Sequence, residues 1–413
     1  MRLTVLRGLT VLAALSLSTT GLAATATAAP APLTARAAPV RASAAPTGVS
    51  TTGAAHRLVR VCATAHPGSA GCMAVRRDTV TSTGAVSPQT VSRAVTPSGY
   101  GPGDIRAAYA LGSASSTRTV AIVDAYDDPN AAADLTTYRA QYGLPACTTA
   151  SGCFRKVGQT GGAVPKANGG WAQEISLDLD MVSAACPTCK ILLVEASSAS
   201  FADLGAAVDH AAGQSGVAAI SNSYGGSDSS ATSAYDHPGI AITASTGDAG
   251  YGVQSPASFP TVVAVGGTSL TKTSTGWSES AWSGAGSGCS TINTRPSWQT
   301  SVTACSHKAN ADVSAVADPN TGVAVYDSYA YQGVRGWLVF GGTSASSPII
   351  ASIYAQGPTA GSYPAAYTWA HTSALRDVTA GSNGNCSTAV WCNARSGWDG
   401  PTGLGTPQGT SAF

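Results

Sequence analysis

A series of short apolar runs with few charges constrains this chain most. They are "TVAIVDAY" (119–126), "KILLVEA" (190–196), "VAAISNSYGG" (217–226), "IAITASTGDAG" (240–250) and "TVVAVGGTSL" (261–270). None alternates polar with apolar residues, so none suits a sheet with one wet face. Strands of this kind are covered on both faces. Helical patterns lie between them: "NAAADLTTYRAQYG" (130–143), "WAQEISLDLDMVSAA" (171–185) and "FADLGAAVDHAAGQ" (201–214). Such alternation predicts an α/β domain with a mainly parallel sheet flanked by helices. Sites in such sheets gather beyond the carboxyl ends of the strands, which here carry "SNSYGG" (221–226) and "STGDAG" (245–250). Residues 271–340 read as irregular with hairpins, and Ser344 to about Gln356 reads as a helix. With 44% hydrophobic and only 10% charged residues, the chain can bury a large core in a single domain. Its net charge of +1 gives no electrostatic reason to bind nucleic acid.

The amino terminus has the order of an export signal. Arg2 and Arg7 flank the start of an apolar stretch to about Ala24, and Ala26 to Ala28 form a small-x-small cleavage site. The expectation is a signal peptide over 1–28 and a secreted, extracellular protein. No later stretch reaches the roughly 20 apolar residues needed to span a bilayer, so no membrane association is expected once the signal is removed. Residues 29–95 read as a low-complexity segment followed by a short prosegment, with a basic cluster at Arg76 and Arg77, which makes the chain a zymogen. The ordered domain, 96–413, is expected to open at "TPSGYGPGDIRAAYAL", with Asp104 capping a short helix. The ten cysteines fall into five close pairs: Cys62/Cys72, Cys147/Cys153, Cys186/Cys189, Cys289/Cys305 and Cys386/Cys392. An exported chain can oxidise each pair, and each bond would close a short loop and mainly stiffen local structure. "CPTC" at 186–189 lacks a second such pair or a nearby histidine, which favours a structural bond over zinc or redox chemistry.

"FGGTSASSPIIA" (340–351) places Ser344 on a glycine turn where a helix begins. A nucleophilic serine needs a base, usually histidine. None of the six histidines (His56, His66, His210, His237, His307, His371) has a local pattern suggesting catalysis, although spacing alone does not exclude His237 or His371. The carboxylates say more. Glu174, one of three glutamates, lies one helical turn before Asp178, so the two share a face. They could simply be solvated, but that face lacks the lysines and arginines expected of an exposed helix. Two neighbouring carboxyls share a proton, and one has a raised pKa. Glu174 can then take the proton of Ser344, with Asp178 holding Glu174.

Together these motifs resemble the sedolisins, the serine-carboxyl peptidases. "GGTSASSP" is similar to their serine motif, "EISLD" (174–178) to their Glu-x-x-x-Asp helix, and "STGDAG" to their Ser-x-Gly-Asp segment. "DVTAGSNG" (377–384) and "GWDGPTGLGTP" (397–407) resemble their calcium segment. The resemblance implies a subtilisin-like fold, a Ser344/Glu174/Asp178 triad, and Asp248 in the oxyanion hole. Asp248 can donate a hydrogen bond only when protonated, so both devices favour acid. The resemblance also implies one structural calcium ion, held by the Asp377 and Asp399 carboxylates and the carbonyls of Val378, Arg395 and Gly397; oxygen ligands suit that ion.

The chain departs from the pattern in several places. Arg395 stands where glycine is usual, Ile175 where tryptophan is frequent, and Cys386 and Cys392 interrupt the calcium segment. The prosegment is short for the family. Two alternatives keep the fold. Asp124, ending the first strand, could serve as a subtilisin-type triad aspartate, but no "HGTH"-like segment follows. Alternatively, the chain could be a non-catalytic secreted module acting by binding or structure. The reading adopted is a monomeric acid-acting endopeptidase on protein or peptide substrates, with main chain near Ser223–Gly226 and Ser245–Gly247 pairing an extended peptide.

Overall fold

The computed structural model describes residues 55–80, 97–113, 115–358 and 361–413. The signal-peptide stretch 1–28 and most of the low-complexity segment lie outside the described residues. At the centre is an eight-stranded sheet. Its path runs Gly276–Ala281, Val263–Thr273, Ala241–Ser245, Val217–Asn222, Thr119–Ala125, Lys190–Ala196, Phe154–Gly158, with Val313–Val316 pairing beside Val263–Thr273. All these neighbours are parallel except the Gly276–Ala281 edge. Their apolar composition follows from position: Val120 to Val123 and Ile191 to Val194 are buried on both faces.

Strand Thr119–Ala125 has Lys190–Ala196 on one side and Val217–Asn222 on the other. The chain order therefore reverses there, leaving a crevice beyond the strand ends. Asp124, Ser223 and Asp248 lie in or just beyond those ends. Two helices frame the same crevice, Gly169–Ala185 and Thr343–Gln356, and they pack on each other. Asn168 caps the first by accepting hydrogen bonds from the N–H groups of Gly170 and Trp171, at 3.0 and 3.2 Å. Every residue from Gly170 to Ala185 is buried, so the solvated-face reading of Glu174 and Asp178 is excluded.

One region agrees with the expectation and one departs from it. Residues 323–341, at the end of the stretch read as irregular with hairpins, form an antiparallel hairpin whose first strand packs on the Gly169–Ala185 helix. Trp337 there joins Tyr138 and Tyr326, with ring centroids 6.0 and 5.0 Å away. Ordered structure begins before residue 96. Strand Val75–Val80 pairs with Ala55–Arg60 and with the end of the hairpin, while Gly71–Cys72 pairs with Tyr224–Ser227. The basic cluster assigned to a prosegment is part of this sheet. Arg76 is fully buried, giving hydrogen bonds to Asp78 at 2.6 Å and to Gln173 Oε1 at 2.7 Å.

All five cysteine pairs are bonded as read: Cys62–Cys72, Cys147–Cys153, Cys186–Cys189, Cys289–Cys305 and Cys386–Cys392. Each closes a short loop as expected, and at Cys153 and Cys305 there are contacts beyond the loop as well. The Cys153 carbonyl accepts a hydrogen bond from the Ile191 N–H at 2.8 Å, so the Cys147–Cys153 turn is tied to the central sheet. Cys305 is buried with Ala309, Val390 and Trp398, and its carbonyl accepts from the Arg295 guanidinium at 2.9 Å. The Cys289–Cys305 bond thereby anchors its loop to the carboxyl-terminal segment. The physical reason is that a half-cystine is apolar and packs wherever the fold supplies apolar neighbours, and spacing along the chain does not report those neighbours. No helix among the described residues is long and apolar enough to cross a membrane.

Candidate active site

Ser344 is the second residue of the Thr343–Gln356 helix, reached from strand Val334–Gly341 through Gly342. Gly342 has φ +96°, and an added Cβ would lie 2.7 Å from Asp248 Oδ2, so a side chain is excluded twice over. The helix start is pinned to the sheet through Ser347, whose hydroxyl lies 2.9 Å from both Ser221 Oγ and Thr243 Oγ1. Its N-terminal N–H groups and dipole favour negative charge beside Ser344.

Glu174, Asp178 and Asp124 lie behind the serine, all fully buried. Neither Glu174 oxygen has a hydrogen-bond partner. Burial raises the Glu174 pKa well above the usual carboxylate range, and Asp178 and Asp124 raise it further, while the Ser344 hydroxyl opposes the rise. That hydroxyl gives its hydrogen to the Ser223 carbonyl at 3.1 Å. Asp178 is also raised, by burial and then by Asp124, against the pull of the Ser223 hydroxyl, which lies 2.8 Å from both its oxygens. Burial pushes Asp124 up to about 8, and its oxygens are unpartnered. This arrangement is a proton-sharing carboxyl cluster against a serine.

Asp248 sits on the other side. Its Oδ1 accepts hydrogen bonds from the N–H and hydroxyl of Thr343, at 2.7 and 2.9 Å. Its Oδ2 is buried without a partner. Burial pushes its pKa up to about 6, against the pull of Arg60 and of the Thr343 donors. Below that pH a proton on Oδ2 makes a donor aimed past Gly342.

The histidines lie elsewhere. His237 meets Asp209 at 3.0 Å, His371 stacks on Tyr367, and His307 faces Ser306. His56 lies near Arg77 and Asp78, His66 pairs locally with Ser69, and His210 abuts Gly161. Three contributions escaped the sequence reading: the Ser223 hydroxyl, where only main chain was expected to line the cleft, Thr343, and Arg60, whose guanidinium donates to the Asp248 carbonyl. Ser223 stood within a flagged strand end and Thr343 within the serine motif, but only folding shows what they touch. Asp124 was noted, and the fold places it against Asp178 rather than beside a histidine.

At the carboxyl end, Asp377 and Asp399 lie close enough for Asp377 to raise the Asp399 pKa, which burial chiefly pushes to about 7. Asp377 accepts a hydrogen bond from the Gly397 N–H at 2.8 Å, and Asp399 from the Arg395 N–H at 3.0 Å. Val378 is buried and Arg395 exposed.

A serine backed by buried carboxyls and faced by a protonatable aspartate, on a parallel sheet, defines the serine-carboxyl class of the subtilisin-like fold. The comparisons agree. The subtilase family profile matches residues 161–403. A solved structure of Pseudomonas sedolisin, a serine-carboxyl proteinase, superposes with TM-score 0.64 at 26% identity, covering 76% of this chain and 96% of that one. Sedolisin from Pseudomonas sp. (strain 101) is 35% identical over 38% of this chain and 29% of its own length. Kumamolisin from Bacillus sp. (strain MN-32) is 32% identical over 41% of this chain and 35% of its own length. The chain belongs to the subtilase family and, within that fold, to the sedolisins. Its matches span about a third of the length of these curated relatives.

Proposed function

We propose that this chain is an exported endopeptidase that cleaves peptide bonds in acid through Ser344, Glu174, Asp178 and Asp248. The observation that carries the reading is the fully buried, unpartnered Glu174 carboxyl beside Ser344, with every histidine elsewhere. In the first step the serine hydroxyl turns from the Ser223 carbonyl to Glu174, which takes its proton as Oγ attacks the substrate carbonyl. Asp178 and Asp124 share protons with Glu174 and keep a basic oxygen available to it. The developing oxyanion accepts hydrogen bonds from the Ser344 N–H and from protonated Asp248. Glu174 then passes its proton to the leaving amine, and water hydrolyses the acyl-enzyme with the same groups in reverse. The enzyme acts as a monomer outside the cell, on protein or peptide substrates.

One calcium ion fits the carboxyl-terminal segment. Asp377 and Asp399 would supply carboxylate oxygens, and the carbonyls of Val378, Arg395 and Gly397 would complete the set. The rise of Asp399 toward neutral pH beside Asp377 supports this, since a cation there would relieve both burial and repulsion. The exposure of Arg395 lets its guanidinium stay in water while its carbonyl serves. The ion's role is structural.

Casein digestion at pH 4 and pH 7 by the wild type and by Ser344→Ala tests the catalytic reading. Loss of the nucleophile should cost on the order of a millionfold in kcat. Wild-type activity in acid with a folded, inactive Ser344→Ala supports it. A folded wild type inert at both pH values would favour a binding or structural module.

A further inference from the structure

The chain's own residues 70–75 lie along the cleft as a substrate would. Gly71–Cys72 pairs antiparallel with Tyr224–Ser227, Gly71 opposite Gly225 and Cys72 opposite Tyr224. Strand Gln254–Ser255 flanks the other edge of Tyr224–Ser227, making a three-stranded sheet in which this segment is one edge. The pairing continues at Met73, whose N–H donates to the Ser223 carbonyl at 3.1 Å. The Met73 carbonyl then accepts a hydrogen bond from the Ser344 N–H at 3.2 Å. A Cβ added to Gly342 would lie 1.9 Å from that carbonyl oxygen and 2.7 Å from Asp248 Oδ2, so both atoms converge over the same glycine. One carbonyl of the chain thus stands between the two oxyanion donors. The Met73 side chain is buried, its Cε lying over Gly225 beside Gln254.

Both flanks of this bond are held. On the amino side the Cys62–Cys72 disulfide closes the loop. The Ala70 N–H also donates to the Ala199 carbonyl at 2.8 Å. On the carboxyl side, Val75 and Arg76 pair with Gly341 and Phe340, and Arg76 is locked to Asp78 and Gln173. Residues beyond the bond therefore belong to the folded domain; of the residues before it, Gly71–Met73 occupy the cleft edge, while Ala55–Arg60 pair with Val75–Val80.

We infer that Met73–Ala74 is this protein's self-processing site: Ser344 cuts it within the same molecule, and release of Gly71–Met73 from the cleft edge opens the cleft. This rests on the peptidase reading of Ser344. Ser344 Oγ bonds to the Met73 carbonyl carbon and gives its proton to Glu174. The Met73–Ala74 C–N bond breaks, and Ala74 leaves as an amine carrying that proton. One water hydrolyses the ester to leave a Met73 carboxylate. The mature chain begins at Ala74, so its first strand, Val75–Val80, stays in the sheet.

The test follows the full-length secreted chain by intact mass and amino-terminal sequencing after a shift from pH 7 to pH 4, alongside a casein assay. The expected result is a new amino terminus reading Ala-Val-Arg-Arg. It should form at a rate independent of protein concentration, and casein activity should rise in step. Ser344→Ala should stay intact at this bond. Ala74→Pro, which removes the leaving amine's N–H, should leave the bond uncut and casein activity at least tenfold below wild type. A chain that digests casein with residues 73 and 74 still joined, or with a terminus elsewhere, overturns the inference and spares the peptidase reading. A chain that cuts neither itself nor casein overturns both. If Ala74→Pro does not fold, the wild-type terminus alone decides.

Discussion

The cleft and the carboxyl-terminal loop both crowd carboxyl groups together, and they resolve the crowding differently. Around Ser344 four acids are buried: Asp178 and Asp248 have hydroxyl and N–H partners, whereas the oxygens of Asp124 and Glu174 have none. Protons are then the natural means of neutralising them, which is why we propose that the site works in acid. Around Asp399 only two carboxylates meet, one of them exposed, and the N–H groups of Arg395, Gly397 and Thr402 donate to them. We propose that shared protons neutralise the first cluster and a calcium ion the second, so that the same residue type would serve general-base chemistry in one place and hold a metal in the other.

The sharpest way to break this comparison is to fix the proton permanently. Asp248→Asn replaces a titrating donor with an amide. Loss of well-placed oxyanion stabilisation costs about 10²- to 10³-fold in kcat, and the amide should recover part of it. In the wild type, kcat/KM should fall as pH rises through about 6, where Asp248 loses its proton. In Asp248→Asn that fall should be weaker. Stopped assays on a peptide substrate from pH 3 to 8 check it, and an unchanged alkaline limb would remove Asp248 from the oxyanion role.

Chelation probes the other region. An ion present at a hundred times its Kd adds about 2.7 kcal/mol when only the folded state binds it. Melting temperature should therefore drop with chelator and recover with calcium, and Asp399→Asn should abolish the difference. Metal analysis of the purified protein reads the same point directly. A calcium-free protein with an unchanged melting temperature would leave Asp377 and Asp399 as an ordinary turn.

The smallest effect concerns stability. Asp124 is pushed up to about 8 in the folded state, against about 3.9 when unfolded. The folded chain then binds a proton that the unfolded chain has lost across that interval. Its stability is greatest below about pH 4 and declines as pH rises toward 8. Asp124→Asn should flatten the decline by at most one proton, roughly 1.4 kcal/mol per pH unit. Urea unfolding at pH 4, 6 and 8 measures it, and an equal slope in both proteins would show that Asp124 does not hold that proton.

Much of this was legible in the chain because burial on both faces leaves a plain signature. Thr119–Ala125 and Lys190–Ala196 are apolar runs, and the structure starts and ends them within a residue of the reading. Glu174 and Asp178 could be paired because four residues make about one helical turn. Close spacing likewise paired the cysteines, but it did not show that Cys153 binds the sheet or that Cys305 packs on Trp398. The amino-terminal strands were not legible, and hairpins were legible within 271–340 without their positions or contacts. Their polar residues are satisfied by distant partners, Arg76 by Gln173 and Asp327 by Gln173 as well. No local pattern announces a contact between segments so far apart in the chain. Ser223 was obscured for the same reason, since its hydroxyl matters only because the fold brings Asp178 to it.

The central claim is that a carboxylate, not a histidine, takes the proton of Ser344. Steady-state kinetics of Glu174→Gln against wild type, from pH 3 to 9, test it most directly. An amide has no basic oxygen for that proton, so kcat should fall by at least about 10⁴-fold at every pH, while the folded protein keeps its near-ultraviolet dichroism. The wild type should be most active below pH 6. A Glu174→Gln enzyme that turns over normally, with a neutral or alkaline optimum in the wild type, would contradict the account.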